Sequence, residues 1–217
     1  MPNIAVVALL WRYPVKSLKR ESLDVAEVQC DGISGDRCSA AFVRAGHSRF
    51  EKTYRGKDDH RLHMLSTAAA ARQLALKDDV DLELRSGSRY FDAAPISILI
   101  DSWLREAEVL AGRVLDPQRF RPNIFARSTR SFDACESDLV GQTLNVGRVL
   151  LRVRKPIARC VTITYDVESG EPDPNVLRSL AHGRNTVLGI YCDVLIPGEI
   201  RLGDTVGIEG SLRQPRS

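Results

Sequence analysis

The sequence predicts a mostly β or α+β fold. Two observations carry this. Short β-rich runs recur along the chain, separated by Gly, Pro and Asp. Only two or three stretches have helical character. Taken in order, Asn3 to Trp11 (NIAVVALLW) reads as a first strand, closed by the turn-forming Arg12-Tyr13-Pro14. Ser22 to Gln29 alternates as a second strand. Asp31-Gly32-Ile33-Ser34-Gly35-Asp36-Arg37 is a glycine-bearing turn, and Cys38 to Val43 resumes strand character. Residues 46–63 are polar and form a long loop with a charged Lys57-Asp58-Asp59-His60 tip. Loops of that length in a compact domain are often functional.

Ser66 to Leu76 is alanine-rich behind an acceptable N-cap serine, which predicts a helix. Val80 to Arg85 is a short strand. Pro95 to Leu104 is apolar with a period near 3.6, and Pro95 suits a first helical turn, so a second helix is expected there. Asp116 to Asn123 is irregular and arginine-rich. Residues 142–154 hold two short strands around Gly147. Leu177 to Ala181 forms a short helix entered from Pro172-Asp173-Pro174, Leu188 to Ile196 a strand, and Gly198 to Val206 a tight hairpin. Residues 211–217 are expected to fray. A boundary near residues 110–118 divides the chain into segments 1–112 and 113–210, with a shared core expected.

The totals exclude several classes. The chain has 217 residues, 43% hydrophobic and 27% charged, an ordinary globular composition. Thirty-one basic and 28 acidic residues leave a net charge of +3, too balanced for a duplex nucleic-acid binder. The five cysteines are odd in number and contain no CxxC pair. That argues against a disulfide framework, a zinc ribbon or a four-cysteine cluster, and free thiols suit a reducing cytoplasm. The apolar run near the N-terminus is too short to span a bilayer and lacks a basic n-region, so neither a signal peptide nor a membrane anchor is expected. His47, His60, His63 and His182 have no metalloprotease spacing, and there is no P-loop, GxSxG or GxGxxG.

The chemistry concentrates around Cys160. The run Cys160 to Thr164 is β-branched apart from the cysteine, so it reads as a strand, with Pro156 marking the turn that presents the thiol. Arg159 is its neighbour, and Arg154 and Lys155 lie within six residues. Positive charge favours the thiolate, the form that ligates metals and attacks electrophiles. The plain alternative is a buried cysteine packed as a small hydrophobe. Three more polar clusters stand out: Lys16-Ser17 after Pro14, Asp36-Arg37 after the glycine turn, and Arg119-Phe120-Arg121-Pro122-Asn123. Two guanidiniums and an amide suit a phosphate and the edge of a heterocycle. Each has a bland alternative: Lys16 and Arg37 as solvated charges, Arg119 and Arg121 paired with Asp116 or Asp133, Asn123 as a turn residue. Asp166, Asp173 and Glu136 are the carboxylates available for acid–base roles, and no spacing singles one out. Jointly, cations on separate segments with one soft ligand suit an anionic, phosphorylated cofactor carrying a thiophilic metal.

These blocks, in this order, resemble the MOSC family, named for the C-terminal domain of molybdenum cofactor sulfurase, and in particular the barrel-plus-MOSC arrangement of the amidoxime-reducing component. Tyr13-Pro-Val-Lys-Ser17 with Gly35-Asp36-Arg37 resembles the N-terminal barrel pattern, and Arg119 to Ile124 the link onward. Arg159-Cys160 with Asp166 and Gly170, Gly189-Ile190-Tyr191, and Gly198 to Asp204 resemble the MOSC part. The resemblance implies a MOSC β-barrel with an N-terminal barrel-like subdomain and a few short helices. It implies molybdenum cofactor (molybdopterin), with Cys160 as the metal ligand and Lys16, Ser17, Arg37, Arg121, Asn123 and Tyr191 on the pterin and its phosphate. Ser97 follows from the Asp92 to Ser97 turn, where a helix start would offer N–H groups to phosphate. Arg159 joins them from the residue reading.

The function implied is an oxidoreductase acting on N-hydroxylated or related small molecules, drawing electrons from a separate donor protein. No pyridoxal phosphate is expected. Ala158 departs from the pattern, because reducing relatives carry a small hydroxyl two residues before the cysteine; one cofactor hydrogen bond is expected to be missing. The alternatives are a sulfur carrier with a Cys160 persulfide, a cofactor-delivery protein without turnover, and a fold retained for an unrelated binding role.

Overall fold

A computed structural model describes residues 2–46, 48–66 and 81–209. Its centre is a closed seven-stranded β-barrel. The strands are β1 (Asn3–Arg12), β7 (Ile96–Ile100), β8 (Ile124–Ser128), β9 (Thr143–Val146), β10 (Val149–Ala158), β11 (Val187–Ile196) and β13 (Thr205–Glu209). They run in the order β13-β9-β10-β11-β7-β8-β1, and β1 closes the ring against β13 with Val6 opposite Thr205. Closure removes the open sheet edges that would otherwise recruit other chains. Strands from both sides of residue 112 therefore share one barrel.

Around it, β2 (Glu21–Leu23) extends β1, and β12 (Gly198–Arg201) pairs with β3 (Val25–Gln29), which pairs with β4 (Gly32–Ile33). A separate ladder joins β5 (Ser39–Ala45) to β6 (Asp81–Ser86). Its apolar residues form a small second core with Val15, Leu18, Tyr54 and Leu62. The main core fills the barrel and continues under the helices α1 (Asp101–Ala111) and α2 (Pro174–Arg184).

Four local expectations are corrected. Pro95 to Leu104 is a strand followed by a helix. Ile96, Ile98 and Ile100 are β-branched and all five β7 residues are buried, so the run matches a strand covered on both faces, which periodicity alone cannot separate from a helix. The helix begins at Asp101, whose Oδ1 accepts the Ser128 N–H at 2.7 Å. Because β7 and β8 are parallel, the chain needs a long crossover between them, and α1 supplies it. The region around Ser97 is consequently a strand and offers no helix N-terminus.

Cys160 to Thr164 is not a strand. β10 ends at Ala158, and Val161–Thr164 is a 3-10 turn with Cys160 at its N-cap. Pro156 is not in the presenting turn either; it lies within β10 opposite Ile190, where the ladder register shifts. The Gly198 to Val206 stretch is not a hairpin, because β12 pairs with β3 whereas β13 pairs with β9 and β1. The expected Ser66 to Leu76 helix lies outside the described residues beyond Ser66. The helix expected at Leu177 to Ala181 is longer: Asp173 caps it by accepting the Asn175 N–H, and Pro174 occupies its first position.

Candidate active site

A cleft of about 310 Å³ opens beside the ends of β7, β10 and β11. The loop after β1 contributes Lys16 and Ser17, with Ser17 in the left-handed backbone region (φ 69°). The turn after β4 contributes Arg37, also left-handed (φ 47°), held by its N–H donating to the Tyr13 carbonyl at 2.7 Å. Ser97 comes from β7 and Tyr191 from β11, residues that face each other in the ladder. Arg121, left-handed as well (φ 51°), caps the 3-10 turn Pro117–Phe120. Arg159 and Cys160 follow β10. Of the residues expected from the sequence, only Asn123 is absent from the lining.

Asn123 is 1% exposed, and its contacts are with protein. Its Oδ1 accepts the Ser97 N–H (3.1 Å) and Oγ–H (3.0 Å) and a longer bond from Arg37 (3.3 Å), and its Nδ2 donates to the Trp11 carbonyl. It ties β1, β7 and the Arg37 turn together behind the cleft wall. The structure thus places it as a positioning group for Ser97 and Arg37.

The cleft is strongly cationic. Lys16, Arg37, Arg55, Lys57, Arg119, Arg121 and Arg159 line it, against one carboxylate, Asp92. Lys16 Nζ reaches Asp92 at 2.6 Å, Arg37 is paired with Asp36, and Arg55 forms a bidentate pair with Asp58. Arg121 and Arg159 have no carboxylate partner among the described residues; burial pulls each guanidinium down to about 10, which leaves both charged at neutral pH. Arg159 donates from Nε to the Leu188 carbonyl (2.7 Å) and from Nη1 to the Phe120 carbonyl (2.8 Å). Its Nη2 is buried and has no hydrogen-bond partner among the described residues. An orphaned guanidinium donor is costly, and an anion in the cleft would relieve it.

The Cys160 thiol is exposed on this lining, 3.4 Å from Thr162 Oγ1. The buried-hydrophobe alternative describes Cys192 instead, which is fully buried in the barrel with its thiol pKa pushed up by desolvation. Among the described residues no three His, Cys, Asp or Glu side chains gather to hold a metal ion.

Several lining residues were not singled out by sequence. Arg55, Gly56, Lys57 and His63 come from the long 46–63 loop, which carried only a general signal of function. Histidine spacing had been uninformative, yet His63 Nδ1 lies 3.0 Å from Arg121 Nη1. Arginine can only donate, so Nδ1 accepts. Arg119 pairs with neither Asp116 nor Asp133; its Nη2 reaches Asp166 at 3.1 Å and its Nη1 caps the Ile163 and Thr164 carbonyls. Asp166 and Glu136 are spent on protein contacts: the Glu136 carboxylate accepts from Arg184 and from the Gly189 N–H.

A family model described as the MOSC domain matches residues 87–207. No curated protein matches in sequence. The fold is similar to the crystal structure of the YuaD protein from Bacillus subtilis, at 18% identity and a TM-score of 0.60, over 94% of this chain and 95% of that one. It is similar also to YiiM from Escherichia coli, at 11% identity and a TM-score of 0.50, over 98% of this chain and 73% of that one. No helix among the described residues is long and apolar enough to cross a membrane.

Proposed function

The chain belongs to the MOSC domain family, and on that footing we propose that the cationic cleft binds molybdenum cofactor and that the protein is an oxidoreductase of N-hydroxylated or related N-oxygenated small molecules. One observation carries this reading: an exposed thiol, Cys160, stands on the same cleft wall as an arginine, Arg159, whose buried Nη2 has no partner among the described residues. The donor set fits the cofactor. The guanidiniums of Arg37, Arg121 and Arg159 would hold the negative charge of a phosphorylated pterin, and Cys160 would give its metal one sulfur. When bound, the group supplies two-electron oxygen-atom chemistry.

The residues divide the remaining tasks. Cys160 is the metal ligand. Lys16, Ser17, Arg37 and Arg121 hold the phosphate and pterin, Arg159 donates its free Nη2 to the same anion, and Tyr191 and Ser97 line the adjoining wall. Asn123 orients Ser97 and Arg37 from behind. Ala158 has no hydroxyl to add to this set. Reduction of an N–O bond consumes two electrons and two protons and releases water, so a separate electron-donor protein is part of the proposal. Five free cysteines fit a reducing cytoplasm.

A second reading is favoured by the exposure of Cys160: a persulfide on its Sγ, with the protein as a sulfur carrier. One experiment separates the two. Wild type and Cys160→Ala are produced in a host that synthesises the cofactor and analysed for molybdenum, extracted pterin and amidoxime reduction with a chemical electron donor. Molybdenum near one per chain in wild type, with turnover abolished in the variant, supports the oxidoreductase. Metal-free wild type carrying a persulfide at Cys160 by mass spectrometry supports the carrier. Turnover unchanged in Cys160→Ala sinks the proposal.

A further inference from the structure

Behind the cationic wall lies a second cavity of about 170 Å³. It shares His63, Arg119, Arg121 and Thr162 with the main cleft, and Lys19, Arg20 and Tyr165 line it alone. None of the residues assigned to the cofactor lines it except Arg121. Two of its arginines are incompletely satisfied. Arg119 is 4% exposed, and although its Nη atoms are bonded, its Nε is buried without a hydrogen-bond partner among the described residues. Arg20, stacked 5.7 Å from the Trp11 ring centroid, has a buried Nε in the same condition. Both of these arginines on the lining thus carry a buried donor without a partner among the described residues, which is expensive unless a small shift brings an acceptor to it.

The charge balance points the same way. Lys19, Arg20, Arg119 and Arg121 line it with two carboxylates, Asp116 and Glu168, and a third, Asp166, is paired with Arg119, which leaves one cation in excess. Asp116 already accepts the Gln118 N–H at 2.8 Å. The volume is well below that of a site for a whole drug-sized ligand, roughly 300–1,000 Å³. It suits a single oxyanion with a short tail.

We propose that this cavity is a second anion site, taking a phosphate or carboxylate group on Arg20 and Arg119, separate from the cofactor cleft. Whether the group is a free anion or the acidic end of a larger ligand reaching past Arg121, the recognising chemistry is the same. The inference does not require the reading of the main cleft to be right.

The test uses isothermal titration of the full chain with inorganic phosphate and, separately, benzoate, in wild type, Arg20→Gln, Lys19→Gln and Lys16→Gln. Circular dichroism checks that each variant is folded. Lys19 is exposed and Lys16 belongs to the main cleft, so these two frame the result if Arg20→Gln is unstable. One anion site weakened about tenfold by Arg20→Gln and measurably by Lys19→Gln, and unchanged by Lys16→Gln, which affects only phosphate taken up in the main cleft, is expected. A phosphate preference assigns a phosphorylated or free-phosphate ligand, and a benzoate preference a carboxylate on a larger molecule. Binding of neither anion, or binding lost only in Lys16→Gln, overturns the proposal whatever the cofactor content.

Discussion

The Arg121 guanidinium lies 4.2 Å from the centroid of the Tyr13 ring, and Arg37 lies over the same ring at 4.7 Å. One buried aromatic thus carries two cations that belong to segments more than eighty residues apart. The ring's negative face offsets part of the repulsion between them and holds both where an anion can meet them. Burial pushes the Tyr13 hydroxyl up to about 12 despite the two cations, so it stays protonated and donates to the Pro122 carbonyl at 3.1 Å.

Replacement of Tyr13 should separate these effects. Tyr13→Phe keeps the ring and loses one buried hydrogen bond, a cost of about 1–3 kcal/mol. Tyr13→Leu also loses both cation–π contacts, which adds about 2 kcal/mol or more and weakens anion binding in the cleft. Urea denaturation together with phosphate titration measures both. Equal binding in the Leu and Phe variants would show that the ring does not organise the arginines.

Asn123→Ala should be among the most damaging single changes. It leaves the Ser97 N–H and the Trp11 carbonyl buried without their partner. A loss of roughly 2–4 kcal/mol is expected from a cavity and unsatisfied polar groups. Ser97→Ala, which removes only the hydroxyl, should cost about 1 kcal/mol. A pair of denaturation curves is sufficient to rank them.

Gly56→Ala should dislodge His63. A Cβ at position 56 would collide with His63 Nε2, and the simplest relief moves the imidazole off Arg121. Overpacking of this kind costs about 1–3 kcal/mol. Thermal unfolding reads the stability, and the His63 ring signals in an NMR spectrum read the displacement. An unchanged His63 environment would mean that the loop yields instead.

Thiol labelling should sort the cysteines. Cys30, Cys135 and Cys160 are exposed and are expected to react quickly with Ellman's reagent in the native protein, Cys160→Ala lowering the fast count by one. Cys192 is buried with its pKa raised by desolvation, so it should react only on unfolding. Rapid native labelling of Cys192 would contradict the closed barrel.

Acid should weaken the junction between Asp166 and Arg119. The Ser169 and Glu168 backbone N–H groups, with Arg119, hold the Asp166 carboxyl below the usual carboxylate range. A depressed folded-state pKa gives stability that is complete above the unfolded value, about 3.9, and is lost as pH falls through the folded one. The stability gap between wild type and Asp166→Asn should therefore be constant near neutrality and shrink below about pH 4. Denaturation at pH 6, 4 and 3 follows it, and a gap that widens in acid would reverse the sign.

Much of the site was legible as clusters. Lys16-Ser17, Arg37, Arg119 to Arg121 and Arg159-Cys160 announced themselves as polar groups beside turn residues, and all of them line the cleft. Asn123 was read as an amide for the edge of a heterocycle or as a turn residue, and its burial behind the wall depends on where β1 and β7 lie, which no local pattern encodes. His63 and Arg55 were passed over because their partners, Arg121 and the cleft, are remote in sequence. Strand existence came through well, whereas pairing did not: Gly198 to Val206 looks like a hairpin locally, yet its two halves join different sheets.

By itself, then, the sequence determined the inventory: β-rich segments, free thiols, a near-neutral total charge, and cations placed beside glycine and proline turns. Those are local properties, set by side-chain chemistry and backbone sterics. The tertiary structure alone decided which of those turns share a cleft. Closure of β1 on β13 and the parallel pairing of β7 with β8 bring the loop after β1, the Arg37 turn, Arg121 and Cys160 onto one wall. Such closure rests on burying the apolar faces of seven strands and two helices at once, a condition of the whole chain that no single segment carries.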